Sequence, residues 1–168
     1  MRLSVAQFGY ICNAEAHTIG EVITLKEDTV KLLKECNAGC KSATNSLEQV
    51  MPFAENYHAL HDLLKKYNDE HISIGDECHA LLNEVGEDEK DPHPAAKVFS
   101  WISTEMKLMA DSQPEHIAEL MTDGCHMGIK SLSRYLNKYQ HASEESRKLA
   151  RKLIQCEQQF YKELLPMV

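Results

Sequence analysis

No stretch of this 168-residue chain comes near the roughly 20 consecutive apolar residues that a membrane-spanning helix requires. The opening MRLSVAQFGYICNAEAHTIG also lacks the continuous apolar centre and cleavage site of a secretory leader. Cytoplasmic residence without a membrane partner is the expectation. Clusters of Lys and Arg are missing too. The chain has 18 basic against 26 acidic residues, so its net charge is -8, and its pI is near 5.6. That balance opposes phosphate contact, so nucleic acid is not an expected partner. Glycine (7), proline (5) and tryptophan (1) are few, and no strand alternation, P-loop or dinucleotide-binding glycine pattern is present.

What is present suits one helical domain. Hydrophobic residues make up 43% and charged residues 26% of the chain, enough to bury a real core under a soluble surface. Six cysteines would suggest a disulfide framework in a short secreted domain. In a reducing compartment they read as free thiols or ligands.

Spacings of three and four dominate the chain. Val30, Leu33, Asn37, Cys40, Thr44, Leu47 and Met51 form the seam of a helix predicted from about Leu25 to Phe53, with Thr24 and Glu27 as its cap. Pro52 and Asn56 mark a turn. Leu60, Leu64, Tyr67, His71, Ile74, Cys78, Leu81 and Val85 form a second seam, closed by Gly86. The charged, proline-containing stretch from Glu87 to Pro94 reads as a solvated connection, and Val98, Ile102, Met106 and Met109 as a short crossing helix that carries Trp101. Ser112, Pro114 and Glu115 open a third helix with the seam Ala118, Met121, Cys125, Gly128, Leu132, Tyr135 and Tyr139. Ser143, Glu144 and Glu145 open a fourth with the seam Leu149, Leu153, Cys156, Phe160 and Leu164. Short turns within each helix pair and a long link between the pairs predict an all-α, ferritin-like four-helix bundle over 25–168, with a short extra helix in its crossover. Residues 1–24 are left as a separate segment without an assigned structure.

Gly39-Cys40 and Gly124-Cys125 are each followed, six residues after the cysteine, by Ser-Leu. Carried forward, that offset pairs Cys40 with Cys125 and His71 with Cys156. Counted from their turns at ~1.5 Å per residue, all four sit at similar depth. Thiolate and imidazole are ligands that zinc prefers, so Cys40, His71, Cys125 and Cys156 are candidate metal ligands for zinc or iron. The competing reading is that the thiols are small core residues and His71 a satisfied core histidine. Cys36 lies one turn from Cys40 but off the seam, and a bridge along one helix face is awkward. His58 with His61, Asp76 with His79, and Cys125 with His126 have helix-adjacent donor spacing, each with one member on a wetter face, and their histidines read as surface residues. Glycines at 39, 75 and 124 suggest that room or close approach is wanted at the bundle centre, and Gly124 with Gly128 suggests close helix packing.

From about Leu25 to Leu165 the chain resembles the small bacterial ferritin-like bundles related to stress-associated proteins, a group without an established activity. The resemblance rests on Asn37-Ala38-Gly39-Cys40, Asp123-Gly124-Cys125, Ser100-Trp101 and His116-Ile117-Ala118. It implies a ferritin-related fold and a metal-carboxylate centre. Di-iron bundles use Glu-x-x-His on two helices and a Glu on each of the others. Here Asn68 stands three before His71, and the third- and fourth-helix centres carry Cys125 and Cys156, with Glu35, Asp69, Asp76, Asp123 and Glu157 as the nearest acids. Three functions follow, in this order: a metal-binding bundle, a non-catalytic bundle acting through protein association, and a di-iron or thiol oxidoreductase. Bundles of this class pair through exposed apolar stripes, which makes a homodimer the expected assembly.

Overall fold

The computed structural model describes residues 5–87 and 113–168, with side chains from residue 20 onward. Every regular element among the described residues is helical. Helix α1 spans Val5–Val50, and a 3-10 turn at Met51–Ala54 carries Pro52. Helix α2 spans His58–Glu84, α3 Pro114–Lys138 and α4 Glu144–Leu164. A last 3-10 turn covers Leu165–Met167. The crossing segment with Trp101 lies outside the described residues, as does Ser112.

Helix α1 starts 20 residues before the expected Leu25. No proline interrupts residues 5–25, so nothing in that stretch stops the helix. Thr24, expected as a cap, instead donates its hydroxyl to the Gly20 carbonyl at 2.9 Å within the helix. Residues 20–27 are exposed, Val22, Ile23 and Leu25 among them, and burial begins at Asp28 and Thr29.

The ends of the helices define the topology. Asp28 accepts from the His141 amide at 3.1 Å and Thr29 from the Ser143 amide at 2.8 Å, which places the α3–α4 turn beside the start of the packed part of α1. Lys34 reaches Glu87 at 2.8 Å, so α2 ends at that same end of the bundle. The beginning of α3, by contrast, belongs to the far end, where α3 meets the 3-10 turn after α1. Helices α2 and α3 therefore run parallel, and the connection between them joins opposite ends of the bundle. Helices α2 and α4 run antiparallel, with Lys66 paired to Glu163 at 3.0 Å and Glu77 paired to Lys152. These exposed pairs fix register more than they add stability.

All four predicted seams face the core, but the buried stripes are wider than the seams. On α1, Thr29, Leu32, Cys36 and Val50 are buried beside Val30, Leu33, Asn37, Cys40 and Leu47. Cys36 is fully enclosed, which corrects its expected position off the seam. The stripe widens because α1 packs against α2, α3 and α4 at once. Tyr67 of α2 and Phe160 of α4 stack with ring centroids 4.3 Å apart and form the largest fully buried pair.

Gly86 and Ser143 close and open their helices where the sequence places them. Gly86 adopts φ 74°. The Glu87 amide returns to the Leu82 carbonyl at 3.1 Å and the Gly86 amide to that of Asn83 at 3.0 Å, a Schellman closure. The Ser143 hydroxyl accepts from the Ser146 amide at 3.3 Å. Arg147 donates to the Leu136 and Tyr139 carbonyls at 3.2 and 3.0 Å, which satisfies the last turn of α3. At the start of α3, Gln113 is the N-cap, makes no side-chain cap bond, and leaves Pro114 to set the first turn. Replacing Gly86 by Ala is expected to cost about 1 kcal/mol through its left-handed backbone, and Ser143→Ala about 1 kcal/mol through the lost cap. Urea unfolding followed by helical circular dichroism checks both.

Candidate functional site

His71 is buried, 1% exposed, in the middle of α2. Its position is set one turn above Tyr67, whose carbonyl accepts from ring Nδ1 at 2.6 Å. That contact commits the Nδ1 proton. On the other side Nε2 meets Oε1 of Glu157 on α4 at 3.2 Å. A bare Nε2 lone pair would repel the carboxylate, so the contact requires a proton between them. Glu157 is 8% exposed.

The strongest influence on His71 is burial, which disfavours the imidazolium. The Glu157 carboxylate, through hydrogen bond and charge, together with the Tyr67 carbonyl and the more distant Glu70, outweighs it. The pKa ends above the ordinary 6.5.

Gly128 on α3 makes room for this pair. A Cβ there would fall 2.9 Å from Glu157 Oε1 and 3.1 Å from its Cδ. The small residue expected to promote helix packing thus accommodates a buried carboxylate. Gly124, one turn earlier, has nothing within 4 Å of its missing Cβ and faces open space.

That space is a cavity of about 260 Å³ between α1, α3 and α4. It exists because the facing positions carry small side chains: Ala38, Gly39, Ser42 and Ala43 on α1, Gly124 and Gly128 on α3. Leu132, Leu153 and Phe160 line its apolar wall, and His71 with Glu157 forms its polar floor. Glu35, hydrogen-bonded to Tyr135, stands at its edge with the exposed Met127.

The Glu157 carboxylate acts electrostatically on all four sequence-predicted ligands, Cys40, His71, Cys125 and Cys156. Their side chains nevertheless take separate partners. Cys125 is hydrogen-bonded to Glu157, and burial followed by that carboxylate pushes its thiol pKa well up. Cys156 donates to Glu70 at 3.5 Å. Burial followed by Glu70 raises it likewise. Cys40 joins Cys36 and Cys78 instead. Of the four, the structure brings His71 and Cys125 onto one carboxylate and leaves Cys40 and Cys156 apart. Among the described residues no group of three or more His, Cys, Asp or Glu side chains is disposed to hold a metal ion. The expected surface histidines His58, His79 and His126 are exposed, and His126 rests against Tyr161 with centroids 4.5 Å apart.

Sequence reasoning placed Glu157 only as an acid near the centre. The signal that identifies it is its spacing, four after Leu153 and three before Phe160, which continues the seam as well as Cys156 does. Cys78 was on a seam, but nothing local ties it to Cys36 and Cys40.

No family model matches the chain, and no curated protein or solved structure resembles it significantly. No helix among the described residues is long and apolar enough to cross a membrane.

The raised His71 pKa carries a definite sign. Its contribution to stability is complete below the unfolded value of about 6.5 and is lost as pH rises through the higher folded value. Glu157→Gln should destabilise the bundle by on the order of 2 kcal/mol at pH 6, and the gap from the parent chain should narrow as pH rises. Urea unfolding of both proteins across pH 6–9 tests this, and a gap independent of pH would contradict it.

Proposed function

We propose that this chain is a ligand-binding helical bundle whose working site is the central cavity. The single observation behind this reading is the form of that cavity: apolar walls, a floor of one buried imidazole and one buried carboxylate, and no large side chain to fill it. A site of this kind binds by burying apolar surface and orients its ligand through a few polar groups. Its size decides the class of ligand. A cavity of about 150 Å³ holds benzene, so about 260 Å³ suits a single ring with a short substituent. The charge decides the substituent. Glu157 and Glu35 outnumber His71 along the lining, which favours a hydrogen-bond donor or amine over a carboxylate.

The test compares benzylamine, toluene and benzoate by ligand-observed NMR. Benzylamine is expected to bind best and benzoate least. Gly124→Leu should fill the cavity and abolish binding, while the loss of a mid-helix glycine holds or raises stability by about 1 kcal/mol. Equal binding of all three compounds to parent and variant would refute the reading.

A metal centre drawn from Cys40, His71, Cys125 and Cys156 is the second reading. It is supported by the reach of one carboxylate to all four residues. It requires Cys40 to leave Cys78 and Cys156 to leave Glu70. Elemental analysis of untagged protein tests it: about one zinc or iron per chain supports it, and no metal removes it. Kinship with ferritin-like bundles belongs to this second reading. Its support is the parallel course of α2 and α3 across a link between opposite ends, the connectivity of one-crossover bundles. Cytoplasmic residence and a homodimeric state rest on the sequence.

A further inference from the structure

The cavity has a carboxylate at two levels. Gly128 fixes the first, because its missing Cβ would fall 2.9 Å from Glu157 Oε1. One turn further along α3, Leu132 lies 4.0 Å from the position of a Cβ on Gly39 of α1, with Leu153 of α4 at 3.7 Å. Helix α1 runs antiparallel to α3, so Glu35, one turn before Gly39, falls at the level of Tyr135. Both line the cavity. The second carboxylate therefore stands two helical turns, ~11 Å, from the first along the bundle axis. The wall between them is apolar, built from Leu132 and Leu153.

The two acids differ in what satisfies them. Glu157 is buried and already meets Nε2 of His71 at 3.2 Å. Glu35 is half-buried, and no cation among the described residues pairs with it. Its neighbour Tyr135 offers a neutral phenol, which can donate a hydrogen bond but cannot balance the charge.

We propose that the ligand of this cavity is two-ended: a single ring with a donor or amine at one end for Glu157 and a cationic amine at the opposite end, which Glu35 selects. The inference rests on the cavity being a binding site. A ring with one short arm on each side of its para axis spans a gap of this order, and about 260 Å³ leaves room for both arms where about 150 Å³ holds benzene alone. A ligand with a single amine would set the apolar end of its ring against Glu35. That contact strips water from a half-buried carboxylate and returns nothing. A second amine replaces the lost water with a charge-assisted hydrogen bond. Glu35 is thus the residue that distinguishes a diamine from a monoamine, while the apolar wall accepts the ring of either.

Dissociation constants of p-xylylenediamine and its size-matched single amine, 4-ethylbenzylamine, measured on the full chain by ligand-observed NMR at pH 7, test this. The diamine is expected to bind about fivefold tighter. Glu35→Gln should bring the two compounds to equal affinity, with helical circular dichroism showing that the variant is folded. Asp62→Asn removes the same charge from an exposed position on α2 outside the cavity lining, and should keep the preference. This control separates recognition by Glu35 from general attraction of a dication to a chain of net charge -8. Equal binding of the two compounds by the parent chain would overturn the inference and leave the cavity standing as a binding site. A preference that survives Glu35→Gln, or that disappears in Asp62→Asn, would overturn it as well. Binding of neither compound removes the cavity as a binding site, and the inference with it.

Discussion

A buried imidazole held between a backbone carbonyl and a carboxylate, all inside a helical bundle, is the constraint around which the centre of this protein is arranged. Burying such a pair is costly, and the cost is recovered only if both ring nitrogens and the carboxylate are satisfied. Tyr67 supplies one acceptor, Glu157 the other, and the Cys125 thiol adds a further hydrogen bond to the carboxylate. Gly128 is the steric condition for the arrangement, because any side chain there meets the Glu157 carboxylate. Breaking one partner leaves the other buried without its hydrogen bond.

The packing follows from that layer. Glycine, alanine and serine near it keep α1 and α3 from filling the space above the pair, so a cavity remains where most bundles interleave leucines. The thiols fill the rest of the layer and are sorted by their neighbours. Two sit against carboxylates and are held as protonated donors. Three, Cys36, Cys40 and Cys78, lie near one another between α1 and α2. The rest of the core is conventional, with stacked Tyr67 and Phe160 and leucines on every helix.

The helical architecture was legible from spacing alone. Seam residues such as Leu64, Ile74, Leu132 and Leu153 are buried as periodicity requires, and Ser143 and Gly86 cap the helices they were expected to cap. The start of α1 was not, because a stretch that neither breaks nor strongly favours a helix gives no local signal, and Thr24 resembles a cap without being one. The site was legible as a layer but not as a set of contacts. Depth along a helix follows from counting residues, which is why Cys40, His71, Cys125 and Cys156 were expected near one level. The direction of each side chain depends on helix rotation and on which partner offers a hydrogen bond, as Glu157, Glu70 and Cys78 do. A buried Glu is also the residue that composition argues against most strongly.

The most direct measurement is the protonation of His71 itself, by nitrogen-15 NMR of ring-labelled protein. The account predicts both ring nitrogens protonated at pH 6.5 and a midpoint above that value, with Glu157→Gln returning the midpoint downward. A His71 ring that is neutral at pH 6.5, with Nε2 carrying no proton, would contradict the claim that a charged pair organises the centre of the bundle.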